Sequence, residues 1–390
     1  MPESALRSAG SAPFGVYIHV PFCASRCGYC DFNTYTATEL GGGASQDEYA
    51  GTAAAELDLA AEVLGGRPGA HTVFFGGGTP TLLPADDLVG LLRRVDATLG
   101  LNPDAEVTTE ANPESVTPAS LAALRAGGFT RISFGMQSAR RHVLAVLDRV
   151  HSPGRAEEAV AEARAAGFEH VNVDLIYGTP GETDSDWRGS LEAAVATGAD
   201  HVSAYSLIVE PGTRLATRVA HGELLEPDDD VLADRYAIAE EVLSSAGFEW
   251  YEVSNWARGP RSRSQHNILY WTGANWWGVG PGAHSHVGGV RWWNVKHPRD
   301  YASKLAMGRS PAAAREVLTD DDKRVERVML GLRLRDGLPL SELDATGRTA
   351  AQQAADDGLL ETGPLASGRA VLSSRGRLLA DAVVRAMVGA

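Results

Sequence analysis

The sequence predicts an α/β fold: a partial (β/α)6 TIM-like barrel followed by a smaller, mainly helical, winged-helix-like C-terminal domain. Three observations carry this reading. Short β-rich runs alternate with alanine-rich helical stretches through the first half of the chain. The β-rich runs are continuously apolar, as strands covered on both faces of a parallel sheet are. Each run then ends in residues too unusual for a plain connection: a cysteine loop, "GGGTPT", "EANPE", "GMQSA", "DLIYGTPGE" and "SLIVEPGT". In parallel barrels the chemistry sits at that end of the strands.

Taken in order, strands are expected over residues 15–20, 71–75, 106–110, 131–135, 170–175 and 201–207. Helices are expected between them, for example over 47–64 and 84–99, where apolar residues recur every three to four positions. Thr117 before Pro118, and Ser152 before Pro153, each place a capping hydroxyl ahead of a proline and mark helix starts. Six β/α units imply right-handed crossovers. Barrel-like curvature fits them better than a flat doubly wound sheet, although periodicity does not separate the two. The expected divisions are a flexible N-terminus over 1–14, the barrel over 15–215, an aromatic- and histidine-rich connecting region over 216–310, and the winged-helix-like domain over 311–390. In the connecting region lie seven of the eight tryptophans, Trp250, Trp256, Trp271, Trp276, Trp277, Trp292 and Trp293, with His266, His284, His286 and His297.

Bulk composition narrows the function classes. The chain has 390 residues, 44% of them hydrophobic, enough for a large core. A net charge of −15 argues against nucleic acid as a partner, which would call for a basic face. No apolar run reaches the ~18 residues of a membrane helix. The opening "MPESALRSAGSAPFG" has no apolar core of a secretory signal, so a cytoplasmic location is expected.

All three cysteines, Cys23, Cys27 and Cys30, fall within "VPFCASRCGYCDFN". An odd number excludes a closed set of internal disulfides. Three thiolates on one short loop can hold three irons of a cubane, leaving the fourth without a protein ligand. A zinc site is the rival reading; it wants four ligands, and His19 is the nearest candidate for the fourth. Three unrelated buried cysteines would be scattered rather than clustered.

"YIHVPFCASRCGYCDFN" resembles the signature of radical S-adenosylmethionine (SAM) enzymes, in the branch of the oxygen-independent coproporphyrinogen III oxidases and their relatives, the heme chaperones. The resemblance spans nearly the whole chain. It implies a barrel of the radical SAM type with a [4Fe–4S] cluster on Cys23, Cys27 and Cys30 and an electron donor for that cluster. It also implies SAM chelating the open iron, to be cleaved to a 5′-deoxyadenosyl radical. By the same resemblance Tyr17, Tyr29, Gly77, Gly78, Thr79, Glu110, Gln137, Arg149 and Asp174 line the SAM site, and Ile208 packs on the adenine. The residue types suit those roles. Glu110 and Asp174 accept from ribose hydroxyls or the ammonium, Arg149 meets the carboxylate, and Gln137 donates and accepts. Glycines let a ligand approach the backbone of "GGGTPT", where exposed N–H groups can grip it.

Two features separate the relatives. The oxidases carry a fourth cysteine where this chain has Phe32, and a long N-terminal arm where only 22 residues precede Cys23. The chaperones carry H-N-x-x-Y-W, present here as His266, Asn267, Tyr270 and Trp271 in "HNILYW". Imidazole is an ordinary axial ligand of heme iron, and aromatic rings cover a porphyrin face. The resemblance therefore implies a heme chaperone that binds heme through His266 and passes it to an acceptor protein. Acceptors in this family are respiratory heme proteins, so contact with a membrane complex is implied. The alternative is an oxidase acting on coproporphyrinogen III.

Overall fold

The structure is a computed structural model that describes residues 1–10, 12–40, 45–149, 152 and 154–389. All six expected strands are present: β1 (Phe14–Val20), β2 (Ala70–Gly77), β3 (Leu101–Ala111), β4 (Arg131–Gln137), β5 (His170–Tyr177) and β6 (His201–Ser206). They lie side by side in chain order and pair in parallel. β4 is buried at every position, including the polar Arg131, Ser133 and Gln137, as a central strand covered on both faces is.

The six strands do not close on themselves. Six more extend the sheet at its two edges: β7 (Glu249–Glu252), β8 (Asn255–Ala257), β9 (Asn275–Val279), β10 (His284–Val287), β11 (Val290–Asn294) and β12 (Ala312–Val317). β9 runs parallel to β1, with β10, β11 and β12 beyond it; β8 pairs antiparallel with β6, with β7 outermost. Part of the aromatic region thus supplies sheet edges. The added strands pair the backbone of β1 and β6, which would otherwise be exposed sheet edges.

The helices follow their local signals. Gln46–Leu64 is capped by Ser45, and Ala85–Leu99 buries Leu88, Leu91, Leu92, Val95 and Leu99 along one face. Thr117 caps Pro118–Ala126 in a capping box with Ser120. Pro153 lies outside the described residues; the helix that follows, Arg155–Ala165, has Gly154 as its N-cap and no side-chain cap, so Ser152 is not the cap its sequence suggested. The N-terminus, expected to be flexible, carries a helix, Glu3–Ala9, that buries Ala5 and Ala9. Two alanines one turn apart let its backbone come close: a Cβ at Gly288 would lie 2.5 Å from the Ala5 Cα.

After β12 the chain is mainly helical and packs a second core around Val328, Leu332, Leu343, Ala351, Val383 and Met387. Its only strands among the described residues are Leu338–Pro339 and Arg369–Ala370, which pair antiparallel. Arg377 ties this part to the sheet, donating to Glu240 at 2.9 Å and stacking on Trp250 at 4.0 Å. No helix among the described residues is long and apolar enough to cross a membrane.

Candidate functional site

The cysteine loop follows β1, Gly77 ends β2, Glu110 and Gln137 lie at the ends of β3 and β4, and Tyr17 and Asp174 lie within β1 and β5. The chain leaves β1 at Val20 and enters the cysteine loop, which closes where Phe22 bridges to Tyr35 and the Cys23 N–H donates to the Tyr35 carbonyl at 3.0 Å. The far side of the loop is held by Gly28, whose N–H donates to the Leu147 carbonyl and whose carbonyl accepts from the Leu215 N–H. All three thiols are free and half-buried. Burial, then the charge of Cys30, pushes the Cys23 thiol up to about 11; burial raises Cys30 as well. Without a metal these two sulfurs stay protonated at neutral pH, and a bound metal reverses that by deprotonating its ligand.

His19 cannot serve as a fourth ligand in this arrangement. Its ring is buried, with Nδ1 bonded to the Tyr17 hydroxyl at 3.0 Å and Nε2 to the Asn33 carbonyl at 2.9 Å. Among the described residues no three His, Cys, Asp or Glu side chains converge on a single ion. A cubane asks for a different arrangement, one thiolate on each of three irons.

Opposite the loop, Glu110 at the end of β3 accepts from the Gly77 N–H at 3.0 Å. Burial, then the charge of Asp174, raises its carboxyl to about 7. Asp174 on β5 accepts from Ser133 at 2.8 Å and Asn172 at 2.7 Å, and burial raises it too. Neither forms an ion pair with a described residue; the two carboxylates repel each other, and the charge of Arg149 offsets part of the burial of Asp174. Arg149 joins the two halves. One guanidinium nitrogen donates to the Cys27 sulfur at 3.4 Å, another to the Gly135 carbonyl at 2.9 Å, and its buried Nε has no partner. Gly135 leaves room for both side chains: a Cβ there would lie 2.7 Å from the Arg149 guanidinium and 2.9 Å from the Gln137 amide and would displace them. Gln137 itself sits at φ +66°, a strained conformation for a side chain of its kind, at the strand end where β4 and β5 shift register.

"GGGTPT" behaves differently from its expected role. The N–H groups of Gly77, Gly78 and Thr79 are spent on Glu110, the Val20 carbonyl and the Phe22 carbonyl. Gly78 is needed because a Cβ would fall 2.4 Å from the Phe22 carbonyl oxygen. These residues brace the base of the cysteine loop, since the end of β2 runs directly beneath it. Tyr29 packs beside the thiols, and burial raises its hydroxyl far above the usual range. Ile208 lies beyond β6, 62% exposed.

His266 lies on the helix Gln265–Trp271 and is 1% exposed. Its Nδ1 meets the Thr72 hydroxyl at 2.7 Å, its Nε2 the Tyr270 hydroxyl at 2.9 Å, and its ring stacks on Phe74 at 5.1 Å. Burial lowers its pKa to about 3, leaving the neutral imidazole. Asn267 donates to the buried Glu252 at 3.4 Å, and Trp271 also bonds that carboxylate. His284 is exposed against Trp293, and His286 bonds the Ala274 carbonyl.

Sequence reasoning missed the groups that hold this helix. Glu106 accepts from the His266 N–H at 3.1 Å and from Arg131 at 2.9 Å, and Arg131 donates on to the Ser262 and Arg263 carbonyls. A charged residue opening an apolar strand, as in "RISFG", was the available signal.

Residues 17–194 match the model of the radical SAM superfamily, and residues 318–379 that of the HemN C-terminal domain. Strand order, cysteine loop and facing carboxylates thus belong to a radical SAM protein. The heme chaperone HemW of Mycobacterium tuberculosis is 57% identical over 377 residues, covering 97% of this chain and 95% of that protein. HemW of Escherichia coli is 35% identical over 338 residues, 85% of this chain and 86% of that one. The chain belongs to the HemW heme chaperone family. Among solved structures, the coproporphyrinogen III oxidase HemN of Escherichia coli superposes with a TM-score of 0.83 at 21% identity, covering 99% of this chain and 93% of that one. At that identity the likeness speaks for the fold alone.

Proposed function

We propose that this chain is a heme chaperone that holds a [4Fe–4S] cluster on Cys23, Cys27 and Cys30, SAM across the mouth of the sheet, and one heme, which it passes to an acceptor protein. One observation carries the reading: Arg149, whose buried Nε has no partner, donates to Cys27 among three half-buried thiols and also acts on Asp174, which with Glu110 makes two buried carboxylates in no ion pair with a described residue. A sulfonium nucleotide with an ammonium group supplies the missing positive charge, and the unpartnered Nε of Arg149 is a donor for its carboxylate. When bound, the cluster supplies an electron and an open iron to that nucleotide. Glu110 and Asp174 orient the ligand, while Gln137 and Tyr29 flank it. The work is done in the cytoplasm with an external electron donor; the acceptor is a respiratory heme protein, and no nucleic acid takes part.

Heme is assigned to His266. Its neutral imidazole is the ligating form, and Nε2 becomes available when the Tyr270 hydroxyl turns away. The test is to reconstitute the full chain anaerobically and assay coproporphyrinogen turnover and heme retention on the same preparation. Retained heme that moves to an apo-acceptor, with no turnover, is expected. Turnover at an enzyme-like rate would overturn the chaperone reading in favour of an oxidase.

A further inference from the structure

The turn "GVGPGAHS", residues 278–285, has no role in the site described so far. It is held from behind by Glu56, on the helix Gln46–Leu64, whose side chain is fully buried and in no ion pair with a described residue. Glu56 Oε2 accepts from the Gly280 N–H at 2.8 Å and the Tyr301 hydroxyl at 2.5 Å; Oε1 accepts from the Asn294 amide at 2.8 Å. Asn294 also donates to the Gly280 carbonyl at 2.9 Å. Burial raises this carboxyl to about 7 against the pull of those donors. A carboxylate removed from water without a cation is expensive, so the structure it organises must need it.

What it organises is the wall behind the cysteine loop. Asn33, close after Cys30, donates its amide to the Pro281 carbonyl at 3.0 Å and the Lys296 carbonyl at 2.8 Å. The Tyr35 hydroxyl donates to the Lys296 carbonyl at 3.2 Å, and the Tyr35 carbonyl accepts from the Cys23 N–H at 3.0 Å. The fit leaves no slack: a Cβ at Gly280 would lie 2.5 Å from the His19 carbonyl oxygen, and one at Gly282 2.7 Å from the Asn33 amide. A chain of contacts therefore runs from Glu56 through residues 280–296 to Asn33, Tyr35 and the backbone of Cys23.

We propose that Glu56 is a positioning residue of the cluster: it fixes the glycine turn against which Asn33 and Tyr35 seat the three-cysteine loop. The inference rests on the cluster reading given above. It also requires a carboxylate. Every contacting group aims a hydrogen at Glu56, so a glutamine amide would set N–H against N–H or O–H.

The test uses the full chain, reconstituted anaerobically, as wild type, Glu56→Gln, Asn33→Ala and the double variant. Iron and sulfide content, the rate of cluster loss to a chelator, and the electron paramagnetic resonance of the reduced cluster with and without SAM are read beside Tm. Each single variant is expected to lose cluster about tenfold faster and to shift the resonance in the same way, as supporting partners of metal ligands do. The double variant is expected to add little, because both changes cut one chain of contacts. If Glu56→Gln does not fold, Tyr301→Phe removes one donor and is expected to give the same resonance change in smaller degree. A lower Tm with unchanged cluster loss and resonance would overturn the inference, as would independent, multiplying effects of the two single changes. A wild-type chain that takes up no iron or sulfide overturns the cluster reading, and this inference with it.

Discussion

The cysteine loop after β1 and the helix Gln265–Trp271 are both short segments dense in possible metal ligands, yet they use their polar atoms in opposite ways. Around the loop no thiol is in a disulfide, the buried Arg149 Nε is unpartnered, and neither Glu110 nor Asp174 forms an ion pair with a described residue. On the helix both nitrogens of His266 are hydrogen-bonded, and Asn267 and Trp271 share the carboxylate of Glu252. Unsatisfied buried polar groups are costly, and a fold keeps them where a ligand completes them. The loop therefore keeps buried polar atoms that a ligand could complete. The helix reads as one that must release a bond before it can ligate anything.

The largest expected effect tests the loop. Cys27→Ala should drop iron and sulfide per chain to background after reconstitution while leaving Tm of the metal-free protein nearly unchanged. Retention of both by this variant would remove the contrast altogether.

Next comes the helix. His266→Ala removes a buried ring, two hydrogen bonds and a stacking contact, and should cost about 3 kcal/mol in urea denaturation. A cost near zero would mean that the histidine is kept for ligation and not for packing.

Glu110→Gln should weaken SAM binding about tenfold by calorimetry, the price of one charge-assisted contact. It also carries a pH signature. The folded carboxyl lies near 7, above its unfolded value of about 4.3, so its contribution to apo stability is full below about 4.3 and lost as pH rises through 7. The cationic ligand prefers the ionised form, so SAM affinity in the wild type should rise over that same window. Both slopes should flatten in the glutamine variant.

The smallest effect sharpens the helix side. Tyr270→Phe keeps the ring and frees His266 Nε2 at a cost of about 1 kcal/mol. Heme retention measured by absorbance should hold or improve; a loss would show that the hydroxyl serves the heme and does not merely occupy the nitrogen.

The cysteine cluster and the unusual strand ends could be read from spacing, whereas the SAM-site residues were assigned by family resemblance. Glu110, Gln137 and Asp174 fall on three neighbouring parallel strands, β3, β4 and β5, which the alternation of β-rich and helical runs had placed. The roles of the N–H groups in "GGGTPT" could not be read, since nothing local says that β2 passes beneath Phe22. The burial of His266 was equally hidden. A histidine beside aromatic residues looks the same whether it faces a porphyrin or the ring of Phe74.

Periodicity, caps and the clustering of sulfur settled the parallel strands, most helix starts and the three thiols, because these depend on neighbours within a few residues. Only the tertiary structure decided which edge strands complete the sheet, that two carboxylates confront each other, and that Glu56 stands behind the loop. The partners of Glu56 are 224 to 245 residues away along the chain, and no local pattern records who meets whom at such separations. Contacts of that range are chosen by how whole elements pack, so their energies become visible only once the chain is folded.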